Sequence, residues 1–233
     1  MPTARRFSAT DRVTDLVMED YNILPVLSRF SLPLGFDNKT IGQLCGEAGI
    51  DTEGFLLIIN FLMSGRIDEL PAGMSPMVIV DFLRNSHDYF ITYKFPHIRA
   101  NLIAALDESH SDINPIIVKF YDDYIAQVRK HFAYEEETVF PYIEALTSGR
   151  SSEYNIDIFR RHHDEVGDRL AELKNIILRY YATSMPYRMY DALVDIFNCE
   201  EDLESHADIE NHILIPLIAS MERRNDTHNH AKI

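Results

Sequence analysis

His131-Phe-Ala-Tyr-Glu-Glu-Glu-Thr-Val-Phe-Pro-Tyr-Ile143 and His206-Ala-Asp-Ile-Glu-Asn-His-Ile-Leu-Ile-Pro-Leu-Ile218 are two copies of one pattern. Superimposed, His131 falls on His206, Glu135 on Glu210, Pro141 on Pro216 and Ile143 on Ile218. Residues four apart share a helix face, so each copy aims one imidazole and one carboxylate at the same spot. A single i,i+4 His–Glu pair is an ordinary surface feature. Two copies at the same offset from a proline are the arrangement from which di-metal sites inside four-helix bundles are built.

Working outward, four long helical stretches accommodate the repeat. Ser75–Pro76 places an N-cap before a proline at the first helical position and opens helix A, residues 76–107, in which Pro96 predicts a kink. Asn114–Pro115 opens helix B, 115–147. Ser151 or Ser152 opens helix C, 152–183, and Pro186 opens helix D, 186–222. Short connections between helices of this length predict an antiparallel bundle. No strand-like alternation of useful length occurs, so the fold class expected is all-α.

Upstream, Val13, Leu16, Val17, Leu24 and Leu27 recur at helical spacing over residues 10–30, with Pro25 as the expected break. Thr40 and Gln43 form a capping box for a short helix ending near Gly46–Gly49. Asp51 or Thr52 caps another that stops at Gly65. The domains predicted are a small helical one at 1–73, a four-helix bundle at 74–225 and a disordered tail at 226–233.

The apolar stripes identify which polar residues face inward. Helix B reads Ile117, Phe120, Tyr124, Val128, His131, Glu135, Val139, Tyr142 and Leu146. Helix D reads Met189, Leu193, Ile196, Leu203, His206, Glu210, Ile213 and Leu217. Helix A offers Val80, Leu83, His87, Phe90 and Ile98, and helix C offers Ile156, Phe159, His163, Val166, Leu170, Leu173, Ile177 and Tyr180. Each helix therefore turns at least one histidine inward. His110, in i+4 steps from Leu102 and Leu106, reaches the same interior. Buried ionisable groups are costly unless paired or bound to metal, and one metal centre satisfies all of them together. Five histidines and two carboxylates suit iron or manganese better than zinc. With both glutamates bridging and an oxide or hydroxide between two octahedral irons, roughly one coordination position of about twelve stays open for O2 or NO. His97 lies on a different face, and His212, His228 and His230 are expected to be solvated.

The remaining composition sets limits. A net charge of −15 over 233 residues argues against nucleic acid or an anionic membrane as a main partner. The longest apolar run, residues 55–63, is too short to span a bilayer, and the first dozen residues lack the apolar core of a secretion signal. Cys45 and Cys199, with no CxxC, suit a reducing, cytoplasmic location.

The motifs HFAYEEETVFP, HHDEVG and HADIENHILIP resemble the hemerythrin family of helical di-iron proteins. The two-part chain resembles more closely the bacterial iron–sulfur cluster repair proteins, in which a small N-terminal domain precedes a hemerythrin-like bundle. The resemblance implies His87, His110, His131, Glu135, His163, His206 and Glu210 as metal ligands, with His110 at a slightly longer spacing from His87 than the family shows. It implies two non-haem irons, oxo- or hydroxo-bridged, O2 or NO as small ligand, damaged iron–sulfur proteins as partners and a role in nitrosative or oxidative stress. The alternative is an O2- or NO-binding or sensing protein without repair activity. A homodimer is one open oligomeric state. The stretch RFSLPLGFDNKTIGQLCGEAGID matches the repair family's N-terminal part, but Leu34–Gly35–Phe36 stands where that family carries Cys–Cys–Gly.

Overall fold

The computed structural model describes residues 5–67, 69–71, 74–150, 152, 154–162, 168–184 and 186–230. Among them the chain is helical, and the β contact present is an isolated bridge between Arg12 and Thr40. The chain divides into two compact units. One comprises Met1–Ser86, Ile143–Ser152 and Ala207–Ile233; the other comprises His87–Tyr142 and Glu153–His206. Three of the four boundaries between the units fall within helices.

In the first unit, α1 (Val13–Glu19) and α2 (Ile23–Arg29) replace the single stretch expected over 10–30. The interruption precedes Pro25, which sits in the first turn of α2, where no helical partner requires its missing N–H. α3 (Ile41–Ala48) begins with the expected capping box: Thr40 Oγ1 accepts from the Gln43 amide while the Gln43 side chain accepts from the Thr40 amide. α4 (Thr52–Ser64) is capped by Asp51, which accepts from the Gly54 amide. Both helices end on a left-handed glycine, Gly49 at φ 68° and Gly65 at φ 65°, a conformation open to residues without a Cβ. Phe30 packs on Phe55 and Phe82, at centroid distances of 4.8 and 4.9 Å, among buried Val13, Leu16, Ile41, Ile58 and Ile59. The Asn60 amide grips the extended segment ahead of α1, donating to the Phe7 carbonyl and accepting from the Phe7 amide.

The second unit carries the bundle core. α6 (Phe95–Ala105), α7 (Asn114–Tyr134), α10 (Asp168–Tyr180) and α11 (Pro186–Ile209) bury Phe95, Ile98, Leu102, Tyr121, Tyr124, Val128, Phe132, Leu170, Leu173, Ile177, Leu193 and Ile196. α9 (Ile156–His162) covers the start of the expected helix C. One stripe residue is misplaced: Tyr180 is 69% exposed and Tyr181 is 8% exposed. Tyr181 lies just past the end of α10 and turns inward to polar partners, its hydroxyl accepting from the Asp107 amide and donating to Asn114 Oδ1.

Three helical runs each contain one wide turn. α5 (Met77–Asp88) joins α6 through a π segment at Tyr89–Lys94. α7 joins α8 (Phe140–Thr147) through Glu135–Val139, and α11 joins α12 (Ile215–His230) through Glu210–Leu214. Each is followed by a residue and then a proline: Phe95–Pro96, Phe140–Pro141 and Ile215–Pro216. The amide before the proline donates five residues back, Phe95 to Phe90, Phe140 to Glu135 and Ile215 to Glu210. Proline has no N–H and its ring crowds the carbonyl four residues earlier, so a wider turn relieves a clash that a regular α-helix would keep. In that register Pro96 leaves the Ile91 carbonyl without its backbone donor, and the Arg129 guanidinium donates to it at 3.4 Å. The expected kink at Pro96 is thus a local widening within a continued helix. α12 runs on to His230 through residues expected to form a disordered tail; no glycine or proline follows Pro216 to stop it.

Candidate metal centre

The wide turns set the candidate site. Glu135 and Glu210 are the first residues of their π segments, and His131 and His206 lie one turn earlier on the same runs. His87 comes from the last turn of α5. One ligand atom each from His87, Glu135, His206 and Glu210 lies within 4.8 Å of the other three, and all four residues are buried. His87 Nε2 is 2.9 Å from Glu135 Oε2. His131 Nε2 is 2.7 Å from Glu135 Oε1, with 16% of the His131 side chain exposed.

Aromatic rings fix the imidazoles. His87 lies nearly parallel to Phe132, centroids 4.0 Å apart and planes at 18°, and to Phe140 at 5.6 Å and 14°. His206 packs 5.3 Å from Phe132, 5.1 Å from His87 and edge-on to Phe90. His131 stacks on Phe159 at 6.4 Å. Beside the site, the Tyr134 and Tyr154 hydroxyls are 2.9 Å apart, and Tyr142 packs 5.0 Å from Tyr154. Burial pushes the Tyr154 phenol well up, and the Tyr134 hydrogen bond and the Glu135 charge add to the rise. Tyr154 therefore stays protonated at any ordinary pH.

The remaining expected ligands fall elsewhere. His163 lies outside the described residues. His110 is not brought to the cluster. α6 stops at Ala105, and Leu106 and Asp107 are extended. His110 then sits in a short 3-10 turn, where its Nε2 contacts the Ala182 carbonyl and its ring packs 4.7 Å from Tyr181. The i+4 steps that led to it assumed helix where the chain is already extended. Glu136, which the apolar stripe of helix B leaves out, places Oε1 2.8 Å from His87 Nδ1.

The donor set fits a cation. His87 Nε2 is buried and makes no hydrogen bond, although a carboxylate oxygen is 2.9 Å away. A buried imidazole nitrogen this close to a buried carboxylate oxygen needs positive charge between them, which a bound cation would supply. Imidazole nitrogens and carboxylate oxygens are ligands that iron and manganese accept.

A helical chain with a buried cluster of two histidines and two glutamates that could hold a metal ion fits the class of helical non-haem metal proteins. The hemerythrin HHE cation-binding domain model matches residues 78–218, more than half the chain, and the chain belongs to that family. No curated protein and no solved structure matches it. Family and donor set together point to iron, and domains of this family bind small ligands such as O2. Among the described residues no helix is long and apolar enough to cross a membrane.

Proposed function

We propose that the chain is a non-haem di-iron protein taking O2 or NO as its small ligand. The observation that carries this reading is the convergence of His87, Glu135, His206 and Glu210 inside an aromatic wall. His131, at hydrogen-bond distance from Glu135, extends the donor set, and His163, outside the described residues, is the further ligand that the resemblance implies. Glu135 and Glu210 would supply the carboxylate ligands to the irons. Iron supplies an electron-rich site for a diatomic ligand. The protein's part is to hold the ligand atoms in place, to keep bulk water out with Phe90, Phe132 and Phe140, and to disfavour anions by its acidity.

The role proposed for this centre is repair of iron–sulfur clusters damaged by nitrosative or oxidative stress. It is supported by the resemblance of the stretch RFSLPLGFDNKTIGQLCGEAGID to the repair family's N-terminal part. The absence of the Cys–Cys pair favours a packing or docking task for that part over thiol chemistry. In the second reading the centre binds or senses the gas and repairs nothing.

One experiment separates the two. Iron-loaded protein is incubated under reducing conditions with a cluster-damaged dehydratase. Recovery of dehydratase activity, lost with Glu135→Ala protein, supports repair. Reversible NO binding with the irons retained and no recovery supports gas binding. Protein purified from iron-supplied cells with stoichiometric zinc, or with no metal, overturns the di-iron proposal.

A further inference from the structure

Carboxylates of two consecutive residues approach the two nitrogens of His87. Glu135 Oε2 stands 2.9 Å from Nε2, and Glu136 Oε1 stands 2.8 Å from Nδ1. On a regular α-helix adjacent side chains diverge by about 100°. Here both begin a π segment, and both reach one ring on another helical run. The two carboxylates are not equivalent. Glu135 is fully buried, whereas the Glu136 side chain is 37% exposed. Glu136 keeps contact with water while it reaches the ring, and its carboxylate oxygen is placed to accept the ring's N–H.

The Nδ1 contact is a hydrogen bond and the Nε2 contact is not. That asymmetry places the ring proton on Nδ1, donated to Glu136, and leaves the Nε2 lone pair directed at the cluster. The stacked faces of Phe132 and Phe140 fix the plane of the ring. They do not choose between its two flip states, because a half-turn about Cβ–Cγ leaves the plane unchanged. A fixed acceptor on one edge does choose.

We infer that Glu136 is the positioning residue of this site: by accepting the Nδ1 hydrogen bond of His87 it holds the tautomer and flip state that present Nε2 to the metal. The inference rests on the metal-centre reading for its purpose, but its structural content concerns the metal-free protein as well. Hydrogen bonds from carboxylates to the outer nitrogen of ligating histidines orient the ring and raise its basicity, and their loss typically weakens metal binding 10- to 100-fold.

The test uses the full chain. In metal-free protein, long-range 15N–1H NMR reads which nitrogen of His87 carries the proton, the signals being assigned by their loss in His87→Gln. Wild type is expected to show Nδ1–H alone. Glu136→Gln, whose side-chain oxygen still accepts, is expected to keep that pattern and to bind iron(II) within a few-fold of wild type under anaerobic titration. Glu136→Ala is expected to show mixed tautomers and to bind iron(II) about 10- to 100-fold more weakly. A doubly protonated or Nε2–H His87 in wild type overturns the inference, as does a Glu136→Ala protein with unchanged tautomer and affinity. If wild type shows Nδ1–H, Glu136→Ala scrambles it, and neither binds iron, the positioning of His87 stands and the metal reading fails.

Discussion

His131 reaches Glu135 one turn along its own helical run, Nε2 to Oε1 at 2.7 Å, and Glu135 in turn meets His87 from a different run through its other oxygen. One carboxylate thus ties two histidines from separate helical runs, with none of its surface exposed to water. Glu135→Ala and His87→Ala are expected to reduce bound iron to a minor fraction of wild type. Glu137→Ala, three residues before Phe140 and exposed, is expected to leave it unchanged. Elemental analysis of proteins purified in parallel from iron-supplied cells checks this. Equal losses in all three would mean the wrong helix face has been assigned to the site.

His110→Ala is expected to keep wild-type iron content and near-ultraviolet spectrum. Its Nε2 is engaged with the Ala182 carbonyl, so the change should lower stability by about 1 kcal/mol, the usual net worth of one hydrogen bond. Metal analysis beside a denaturant melt separates the effects. Loss of one iron with an unchanged melt would restore His110 to the ligand set.

Gly54 lies where α4 meets Val78 so closely that an added Cβ would stand 2.3 Å from Val78 Cγ1. A valine is stiff at χ1, so the clash cannot be relieved by a distant side-chain tip. Gly54→Ala is expected to destabilise by about 1–3 kcal/mol, the range for overpacking. Gly46, inside α3 with nothing within 4 Å of its added Cβ, is the control. Gly46→Ala should stabilise by about 0.5–1 kcal/mol through helix propensity. Equilibrium urea unfolding reads both, and equal signs would refute the packing argument.

Asp107 accepts from the amide and hydroxyl of Ser184 and from the amide and hydroxyl of Ser109. These four hydrogen bonds, the Ser184 hydroxyl's first, hold its carboxyl well below the usual range. A carboxylate depressed on folding stabilises above its unfolded pKa of about 3.9, and that contribution is lost as pH falls through the lower folded value. Asp107→Asn should therefore flatten the acid limb of the stability profile below about pH 4 and change its slope little above pH 5. Thermal melts from pH 2 to 7 test this; parallel acid limbs in the two proteins would show that the depression is absent.

The all-helical class was legible from apolar spacing and from the caps at Thr40, Asp51, Gly49 and Gly65, because these signals are local. The core of the site was legible because the two His–Glu copies sit on stripes that the structure buries. Glu136 was not, since a regular helix turns it away from Glu135's face, and its partner His87 lies 49 residues earlier. Tyr181 was missed, and His110 placed on the bundle stripe, for a common reason. Both lie just beyond a helix end, where the helical period no longer tells which way a side chain points.

The three wide turns have a consequence for how the chain tolerates changes in length. An α-helix advances about 100° per residue, and a turn closed five residues back holds one residue more than the regular turn. The buried faces before and after each such turn are therefore in different reading frames. Deleting one residue from 136–139 would remove the extra residue and let the turn close four back, keeping Phe140 and Ile143 on their buried faces, whereas the same deletion in the regular part of α7 would swing everything after it by about 100°. The same deletion at 148–150, beyond the helix end, would rotate nothing. Insertions and deletions in this chain are thus read against a fold that has already counted three extra residues into its helices.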